Sequence, residues 1–571
     1  MTRLVPWLCL LALPLTASSL ELLRGPYLQR VGPTEATLVF RTDDACDGAV
    51  SWGVDAATDE TLDLTTQQTE HVALLTGLTP ETTYTYEITC DGLRVAAGLD
   101  PANMWFRTAP PAGSRAPFRA WIVGDSGNGS FDQRNARDAA VAHWGADRPD
   151  LYLHMGDMAY GDGTDLEFTL WFFGIYQDQL SWLPSFPTIG NHEGGTSVSA
   201  TEEGPYYEGY HLPSDGRLGG VPSGTEAFYS FDWANVHFVV LDSHQSSRAT
   251  DGPMLTWLAE DLEATDQDWI VAYFHHPPYT KGSHDSDTEG GHIEMRENAL
   301  PILEAGGVDL VLGGHSHIYE RSYLAHGGYE TPTTDQAIVD IRDGRSDGDG
   351  PYVLGPGLTA GDGALFVVAG HGGASVSQEG GHPLMFFAEP EHGSVLMDVR
   401  GDRMSLRNVR YDGEVTDRVT LMKAPGVDVA VPDGAEEYVA GDEVTVLWGA
   451  VDVEGQAVVD FSCDDGASWI PVAETNVGDR ALVWTVPDIG TADGRIRVRL
   501  AGDEGPWDMS DARFSVEGDG PCPAPSVPGG GDDDDAAGDD DDATSCAGCG
   551  GGAAMLPLVL VVGALPRRRR G

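Results

Sequence analysis

Five short apolar segments, each followed at once by polar residues, constrain this 571-residue chain more than any other feature. The polar segments are GDSG at 124–127, GDMAY at 156–160, GNHE at 190–193, HHPPY at 275–279 and GHSH at 314–317. The residues before them have the composition of buried strands. Helix-like stretches such as 131–144 and 253–264 lie between them. This alternation predicts an α/β domain with its polar residues gathered at one edge of a sheet.

The donor atoms in these segments belong to carboxylates, an amide, imidazoles and a phenol. Such donors suit iron, zinc or manganese at a hydrolytic centre better than a closed structural zinc site. Two ions about 3.5 to 4 Å apart bind an anionic substrate and generate hydroxide near neutral pH. One carboxylate has to bridge them. Asp157 is the candidate, because Gly156 allows close backbone approach and Tyr160 follows as a candidate phenolate ligand.

The five segments, in this order, resemble the purple acid phosphatases of the calcineurin-like metallophosphoesterase superfamily, whose pattern is GDxG, GDxxY, GNH(E/D), VxxH and GHxH. The resemblance implies an α/β domain of two packed mixed sheets flanked by helices. It also implies a dinuclear metal centre with Fe(III) and a zinc, iron or manganese ion. The ferric ligands would be Asp125, Asp157, Tyr160 and His317, and the ligands of the second ion would be Asp157, Asn191, His275 and His315.

The fourth segment offers two histidines for one ligand position. Ala272 stands where the family pattern has valine if His275 is the ligand. The following His276 and Pro277 still favour His275, which is therefore our predicted ligand.

The proton donor to the leaving group stays open between two histidines. His284 corresponds to the first of two substrate-facing histidines in the family, but Asp285 stands where the plant enzymes have the second. His192, directly after Asn191, resembles the family's phosphate-contacting histidine. The expected catalytic residues are therefore His192 and His284, each a candidate general acid.

The expected function is hydrolysis of phosphate monoesters, of the acid phosphatase type, by attack of a metal-bound hydroxide. Phosphodiesterase or nucleotide pyrophosphatase activity on the same scaffold is one alternative, because loops such as 196–223 determine substrate choice. A surface adhesin with an inactive phosphatase domain is another, although the complete ligand set argues against it. The sequence does not indicate an oligomeric state.

The chain is strongly acidic, with a formal net charge of -57. Such a surface repels a nucleic-acid backbone, so we expect no nucleic-acid partner. A phosphate-ester substrate gains no long-range attraction either, so the bound metal ions have to supply it.

Three folded domains are predicted. Residues 21–109 show short alternating strands, and the segment 77–84 resembles a fibronectin type III turn, which predicts an N-terminal β-sandwich of that kind. The metallophosphoesterase domain is expected at 116–422. Alternating strands at 427–516 predict a second, C-terminal β-sandwich.

The two ends of the sequence suggest export. Residues 1–19 are typical of a secretory signal peptide. Residues 517–545 are rich in Gly, Pro and Asp and predict a disordered acidic linker. Residues 546–571 combine cysteines, an apolar stretch shorter than the roughly twenty residues of a membrane span, and an arginine cluster. This tail resembles myxobacterial sorting tails, so we expect a secreted or cell-surface protein with a candidate tether to the cell envelope.

The cysteines are consistent with an oxidising compartment. Cys46 and Cys90 fall in one small domain and are a candidate disulfide pair. Cys463 and Cys522 are a second candidate pair.

Overall fold

The structure is a computed structural model that describes residues 20–55, 58–95, 100–502 and 506–523. The predicted signal peptide, most of the acidic linker and the sorting tail lie outside the described residues. In the part of the chain that is described, no helix combines the length and apolar character needed to cross a membrane.

The N-terminal region is a sheet of six strands. They are β1 (Leu22–Gln29), β2 (Glu35–Val54), β3 (Glu60–Thr76), β4 (Thr83–Cys90), β5 (Leu93–Arg94) and β6 (Trp105–Arg107). Strand β2 pairs antiparallel with β1, β3 and β4. Tyr84, Tyr86 and Ile88 alternate into the core, as the sequence pattern predicts. The region is rich in strands, while its fibronectin type III character stays a prediction.

The central region contains the two mixed sheets that the resemblance implies. Its strands are β7 (Phe118–Val123), β8 (Leu151–His154), β9 (Ser185–Pro187), β10 (Tyr229–Trp233), β11 (Val236–Val240), β12 (Trp269–Tyr273), β13 (Leu310–Gly313), β14 (Tyr319–Ser322), β15 (Leu324–Ala325), β16 (Ile338–Asp340), β17 (Tyr352–Val353), β18 (Leu365–Ala369), β19 (Met385–Glu389), β20 (Gly393–Arg400), β21 (Arg403–Arg410) and β22 (Val415–Met422). One seven-stranded sheet has the order β17-β22-β21-β20-β7-β8-β9, and the other has the order β10-β11-β12-β13-β18-β14-β19. Aromatic rings pack the sheets together, with Phe186 stacked on Phe231 at a centroid distance of 4.0 Å.

Helices flank these sheets. They are α1 (Phe131–Trp144), α2 (Asp165–Glu167), α3 (Gln177–Leu180), α4 (Pro205–Gly209), α5 (Pro253–Ala264), α6 (Gly290–Glu294) and α7 (Leu300–Ala305). Between α2 and α3 the chain forms a π-helical turn at Phe168–Phe173. A π turn is wider than an α turn, so it brings Phe168, Phe172 and Phe173 to the same buried side.

The C-terminal region is also built of strands. They are β23 (Gly426–Val431), β24 (Glu437–Val439), β25 (Glu443–Val451), β26 (Gln456–Ser462), β27 (Ile470–Asn476), β28 (Ala481–Thr485), β29 (Thr491–Leu500), β30 (Trp507–Met509) and β31 (Phe514–Glu517). They form a three-stranded and a six-stranded sheet. Trp448, Phe461 and Val498 belong to a core that these strands share.

Both predicted cysteine pairs form disulfides. Cys46 pairs with Cys90 at a Cα–Cα distance of 5.6 Å, and Cys463 pairs with Cys522 at 5.8 Å. The first disulfide links β2 to β4, and the second links the residue after β26 to the segment that follows β31.

Candidate metal centre

The predicted ligands lie in loops at the carboxyl ends of parallel strands. Strands β7, β8 and β9 are parallel neighbours in one sheet, and β12 and β13 are parallel neighbours in the other. The loops after these strands carry Asp125, Asp157, Asn191, His275 and His315, in that order. Since the two sheets pack together, the five loops meet at one edge, where open α/β sheets build their sites.

Three of these residues have an unusual backbone conformation. Asp125, Asp157 and His315 have φ angles of 55°, 59° and 61°. Residues other than glycine rarely adopt this left-handed region, and such strain clusters at functional sites. The conformation turns the chain sharply at each strand end, so the side chains face the shared edge.

One group of donors surrounds Asp125. The Tyr160 hydroxyl lies 3.2 Å from Asp125 Oδ1 and 3.1 Å from His317 Nε2. His317 Nε2 is in turn 3.6 Å from Asp125 Oδ1. These are three of the four residues that the resemblance assigns to the ferric ion.

A second group surrounds Asp157. His275 Nε2 lies 2.9 Å from Asn191 Oδ1 and 3.4 Å from Asp157 Oδ2. Donor atoms of Asp157, His275 and His315 all lie within 4.8 Å of one another. His275 Nδ1 donates to the Met155 carbonyl at 2.7 Å, which leaves Nε2 facing the carboxylate.

The structure also separates the two adjacent histidines. His276 Nδ1 lies 2.9 Å from the Ser243 hydroxyl, so this ring is held against Ser243. His275, the predicted ligand, is the one that offers a nitrogen to Asp157.

The two central carboxylates lie in an unusual electrostatic environment. Asp125 and Asp157 are fully buried, and in the described residues their ion-pair partners are histidines, with no arginine or lysine. Burial disfavours ionised Asp157, but the charge and hydrogen bond of His275 outweigh it and hold the pKa of Asp157 below its ordinary value. Burial raises the pKa of Asp125. Buried carboxylates that pair only with histidines, which are themselves metal ligands when neutral, fit a site that binds cations.

The two carboxylates also raise the pKa values of the neighbouring His275 and Tyr160. Burial alone would lower the pKa of His275, but Asp157 raises it to about 10. Burial, and then the charge of Asp125, raises the pKa of Tyr160 well above its ordinary value. A bound cation has to displace the protons of both residues, because only their deprotonated forms are ligands.

Glu193 holds the backbone of two ligand loops in place, a role that the sequence did not predict. Its buried carboxylate accepts hydrogen bonds of 2.9 Å each from the backbone N–H groups of Asp157, Ala159 and Gly190. Burial, and then the charge of Asp157, raises its pKa to about 8. The signal was available, since Glu193 is the last residue of the GNHE segment.

Both candidate proton donors lie beside the two groups. His192 Nδ1 is 2.7 Å from the Gly161 carbonyl, and its Nε2 is 3.8 Å from Asp157 Oδ2. The His284 ring stacks on His315 with a centroid distance of 3.9 Å. Asp285 instead pairs with Lys281. The structure thus brings His192 and His284, together with all seven predicted ligands, to one edge.

Comparisons with known proteins agree with this architecture. Residues 118–319 match the family model described as Calcineurin-like phosphoesterase. The chain contains a calcineurin-like metallophosphoesterase domain. Residues 19–111 match a model described as Domain of unknown function (DUF7800), which does not bear on the fibronectin type III prediction.

Plant purple acid phosphatases are among the proteins to which this chain is similar. The chain is 30% identical over 280 residues to purple acid phosphatase 23 of Arabidopsis thaliana, covering 44% of this chain and 57% of that protein. It is 28% identical over 265 residues to a purple acid phosphatase of Glycine max, covering 44% of this chain and 52% of that protein. The chain thus spans about half the length of these curated relatives.

A solved structure shows the same fold. The purple acid phosphatase from yellow lupin (Lupinus luteus) seeds superimposes with a TM-score of 0.55 at 17% identity, covering 70% of this chain and 74% of that one. Homology to purple acid phosphatases implies a dinuclear metal centre, and the donors described above fit one.

Proposed function

We propose that this protein is an exported dinuclear-metal phosphatase that hydrolyses phosphate monoesters. The observation that carries the proposal is the convergence of two buried carboxylates, Asp125 and Asp157, with imidazole, amide and phenol donors, and with no arginine or lysine paired to them among the described residues. The homology to purple acid phosphatases supports it.

The two donor groups would each hold one ion, with Asp157 between them. Asp125, Tyr160 and His317 would complete the site of a ferric ion, and Asn191, His275 and His315 would complete the site of a zinc, iron or manganese ion. When bound, the two cations would neutralise phosphate oxygens and make a water molecule more acidic. Glu193 orients Asp157, the proposed bridging carboxylate, because it accepts a hydrogen bond from the backbone N–H of Asp157.

Tyr160 gives the proposal a readout that does not depend on turnover. A tyrosinate on ferric iron absorbs visible light, so the iron-loaded protein is expected to be purple and Tyr160→Phe colourless at the same iron content. A colourless but active wild-type protein would point to zinc or manganese instead.

The leaving alcohol needs a proton, and two histidines can deliver it. His192 is fixed through Nδ1 by the Gly161 carbonyl, so its Nε2 points towards Asp157. His284 is fixed through Nδ1 by Glu289, at 2.9 Å from Oε1. A general acid has to keep one ring nitrogen free for the substrate, and both residues meet this condition.

Initial rates on nitrophenyl phosphate and on bis(nitrophenyl) phosphate test the proposed substrate class. We expect the monoester to be hydrolysed faster by the full-length protein, and Asp157→Asn to lose activity on both. Faster hydrolysis of the diester would replace the proposal with a phosphodiesterase. Full activity and full metal content in Asp157→Asn would refute the assigned centre.

The two disulfides support export, because disulfides persist in oxidising compartments. Tethering to the cell envelope stays a proposal based on the sequence of residues 546–571. Fractionation of the producing cells tests it: enzyme found only in the cytoplasm would contradict export.

A further inference from the structure

A second cluster of ligand-type side chains lies beside the proposed dinuclear centre. It consists of His284, Glu289 and His292, which we call the accessory cluster. Ligand atoms of these three residues and of His315 all lie within 4.8 Å of one another. We propose that the accessory cluster binds one further divalent cation, with the chemistry of zinc.

His292 provides the strongest reason. Its Nδ1 lies 2.6 Å from the carbonyl oxygen of Pro277, and because a carbonyl only accepts, Nδ1 must donate. In the neutral ring, Nε2 then carries a lone pair. This atom is buried and has no hydrogen-bond partner among the described residues. A buried polar atom without a partner is rare and indicates an additional ligand.

Glu289 faces that lone pair. Its Oε2 is 3.9 Å from His292 Nε2, so a carboxylate oxygen and an imidazole lone pair point at each other with no hydrogen bond between them. Two acceptors in this arrangement repel unless positive charge lies between them. A divalent cation supplies that charge and accepts both lone pairs.

His284 completes the set. Its Nδ1 lies 2.9 Å from Glu289 Oε1. Ligand atoms about 2.1 Å from a tetrahedral ion are about 3.4 Å apart, and the separations in the cluster lie on either side of this value. Two imidazoles and one carboxylate are donors that zinc prefers, and zinc is commonly held by three protein ligands with water as the fourth.

The cluster is open on one side and closed on the other. The side chains of His284 and Glu289 are 30% and 40% exposed, whereas His292 is fully buried. A cation can therefore enter from solvent and meet His292 at the base. His315 marks the boundary with the dinuclear centre, since its Nε2 is 3.7 Å from Glu289 Oε2 while it also faces Asp157 and His275.

Metal counting tests this inference. Full-length protein is equilibrated with a small excess of zinc, freed of unbound ion and analysed by mass spectrometry for the total of zinc, iron and manganese per chain. We expect three equivalents in the wild type and two in Glu289→Gln, which keeps the size of the side chain but removes the charge. Glu294→Gln is the matched control, because Glu294 is a nearby exposed glutamate that pairs with Arg248, and it should keep three.

A second variant, His292→Gln, distinguishes loss of the ion from a folding defect in Glu289→Gln. His292→Gln should also lose one equivalent, with thermal unfolding recorded for each variant to verify that the fold is retained. Two equivalents in the wild type would overturn the inference. Three equivalents in a folded Glu289→Gln protein would do the same, since the third ion would then lie elsewhere.

The count is independent of turnover. A wild-type protein that holds three metal ions but hydrolyses neither ester would overturn the proposed function and leave the accessory cluster intact. Active protein that holds only two metal ions would overturn the accessory cluster and leave the proposed function intact.

Discussion

At the scale of single residues, the candidate centre depends on glycines as much as on donors. A Cβ atom at Gly190 would lie 2.2 Å from Asp157 Oδ1 and 2.4 Å from Asp157 N. A Cβ atom at Gly314 would lie 2.5 Å from Asp125 Oδ2. The glycines that begin the GNHE and GHSH segments thus leave room for the two buried carboxylates.

Gly190→Ala is therefore expected to damage the site without removing a donor. The added methyl group would push Asp157 from its place, and displacement of a ligand's support typically costs about 10-fold to 100-fold in metal affinity or activity. Metal content and phosphatase rate measure the effect. Gly381→Ala is the control, because a Cβ there meets nothing within 4 Å. Unchanged metal affinity in Gly190→Ala would contradict this account of the glycine.

A second effect at the residue scale concerns His237, a buried imidazole between two carboxylates. Its Nδ1 is 2.7 Å from Asp232 and its Nε2 is 2.9 Å from Asp261. Burial alone would lower the pKa of His237, but the hydrogen bonds to both carboxylates raise it to about 9. Because the folded pKa lies above the unfolded value of about 6.5, the bound proton stabilises the fold.

The stability that His237 contributes therefore decreases as the pH rises. The stabilisation is complete below about pH 6.5 and is lost as the pH rises through about 9; its size is about 3 kcal/mol. His237→Gln should therefore lower the melting temperature more at pH 6 than at pH 10. His143→Gln is the control, because burial lowers the pKa of His143 to about 3 and keeps it neutral at both pH values. An equal loss at both pH values in His237→Gln would contradict the charged His237.

At the scale of elements, the Cys463–Cys522 disulfide closes a loop that contains β27 to β31. The two cysteines are 59 residues apart in sequence. A cross-link over a loop of this length restricts the unfolded chain by about 4 kcal/mol in the chain-entropy view. Cys522→Ser should lower the free energy of unfolding of the C-terminal region by an amount of this order, measured in urea. Cys46→Ser/Cys90→Ser should leave that transition unchanged, and an unaltered transition in Cys522→Ser would contradict the role of the bridge.

At the scale of the whole molecule, buried ion pairs join the central and C-terminal regions. Arg403 on β21 pairs with Asp428 and donates to Asp511 at 2.9 and 3.1 Å. Arg407 on the same strand donates to Asp433 at 3.1 Å. Since these aspartates belong to the C-terminal region, the two regions satisfy each other's charges.

Removal of one partner from this network leaves buried charge unpaired. Arg403→Met should therefore cost about 3 to 5 kcal/mol of stability. Arg410→Met on the same strand is the control, because Arg410 pairs with the exposed Asp412 and Glu414 and surface pairs contribute at most about 1 kcal/mol. Chemical denaturation distinguishes the two. Equal losses would show that the buried network adds no more stability than a surface pair.

The sequence by itself determined the α/β core and which residues gather at its edge. Asp125, Asp157, Asn191, His275 and His315 each follow a buried strand, and strand ends in a parallel sheet lie side by side. Their donor types, together with a resemblance in five segments, were enough to predict a dinuclear site. Both disulfide pairs were also among the predictions, because few cysteines share a domain.

Only the tertiary structure decided contacts between residues far apart in sequence. The choice of His275 over His276 depends on which ring meets Ser243, and the role of Glu193 depends on three backbone N–H groups that the fold brings to it. His292 carries no sequence signal, because Pro277 and His315 become its neighbours only when their loops fold together. Strand order and side-chain direction are set by packing over the whole core, which local composition does not encode.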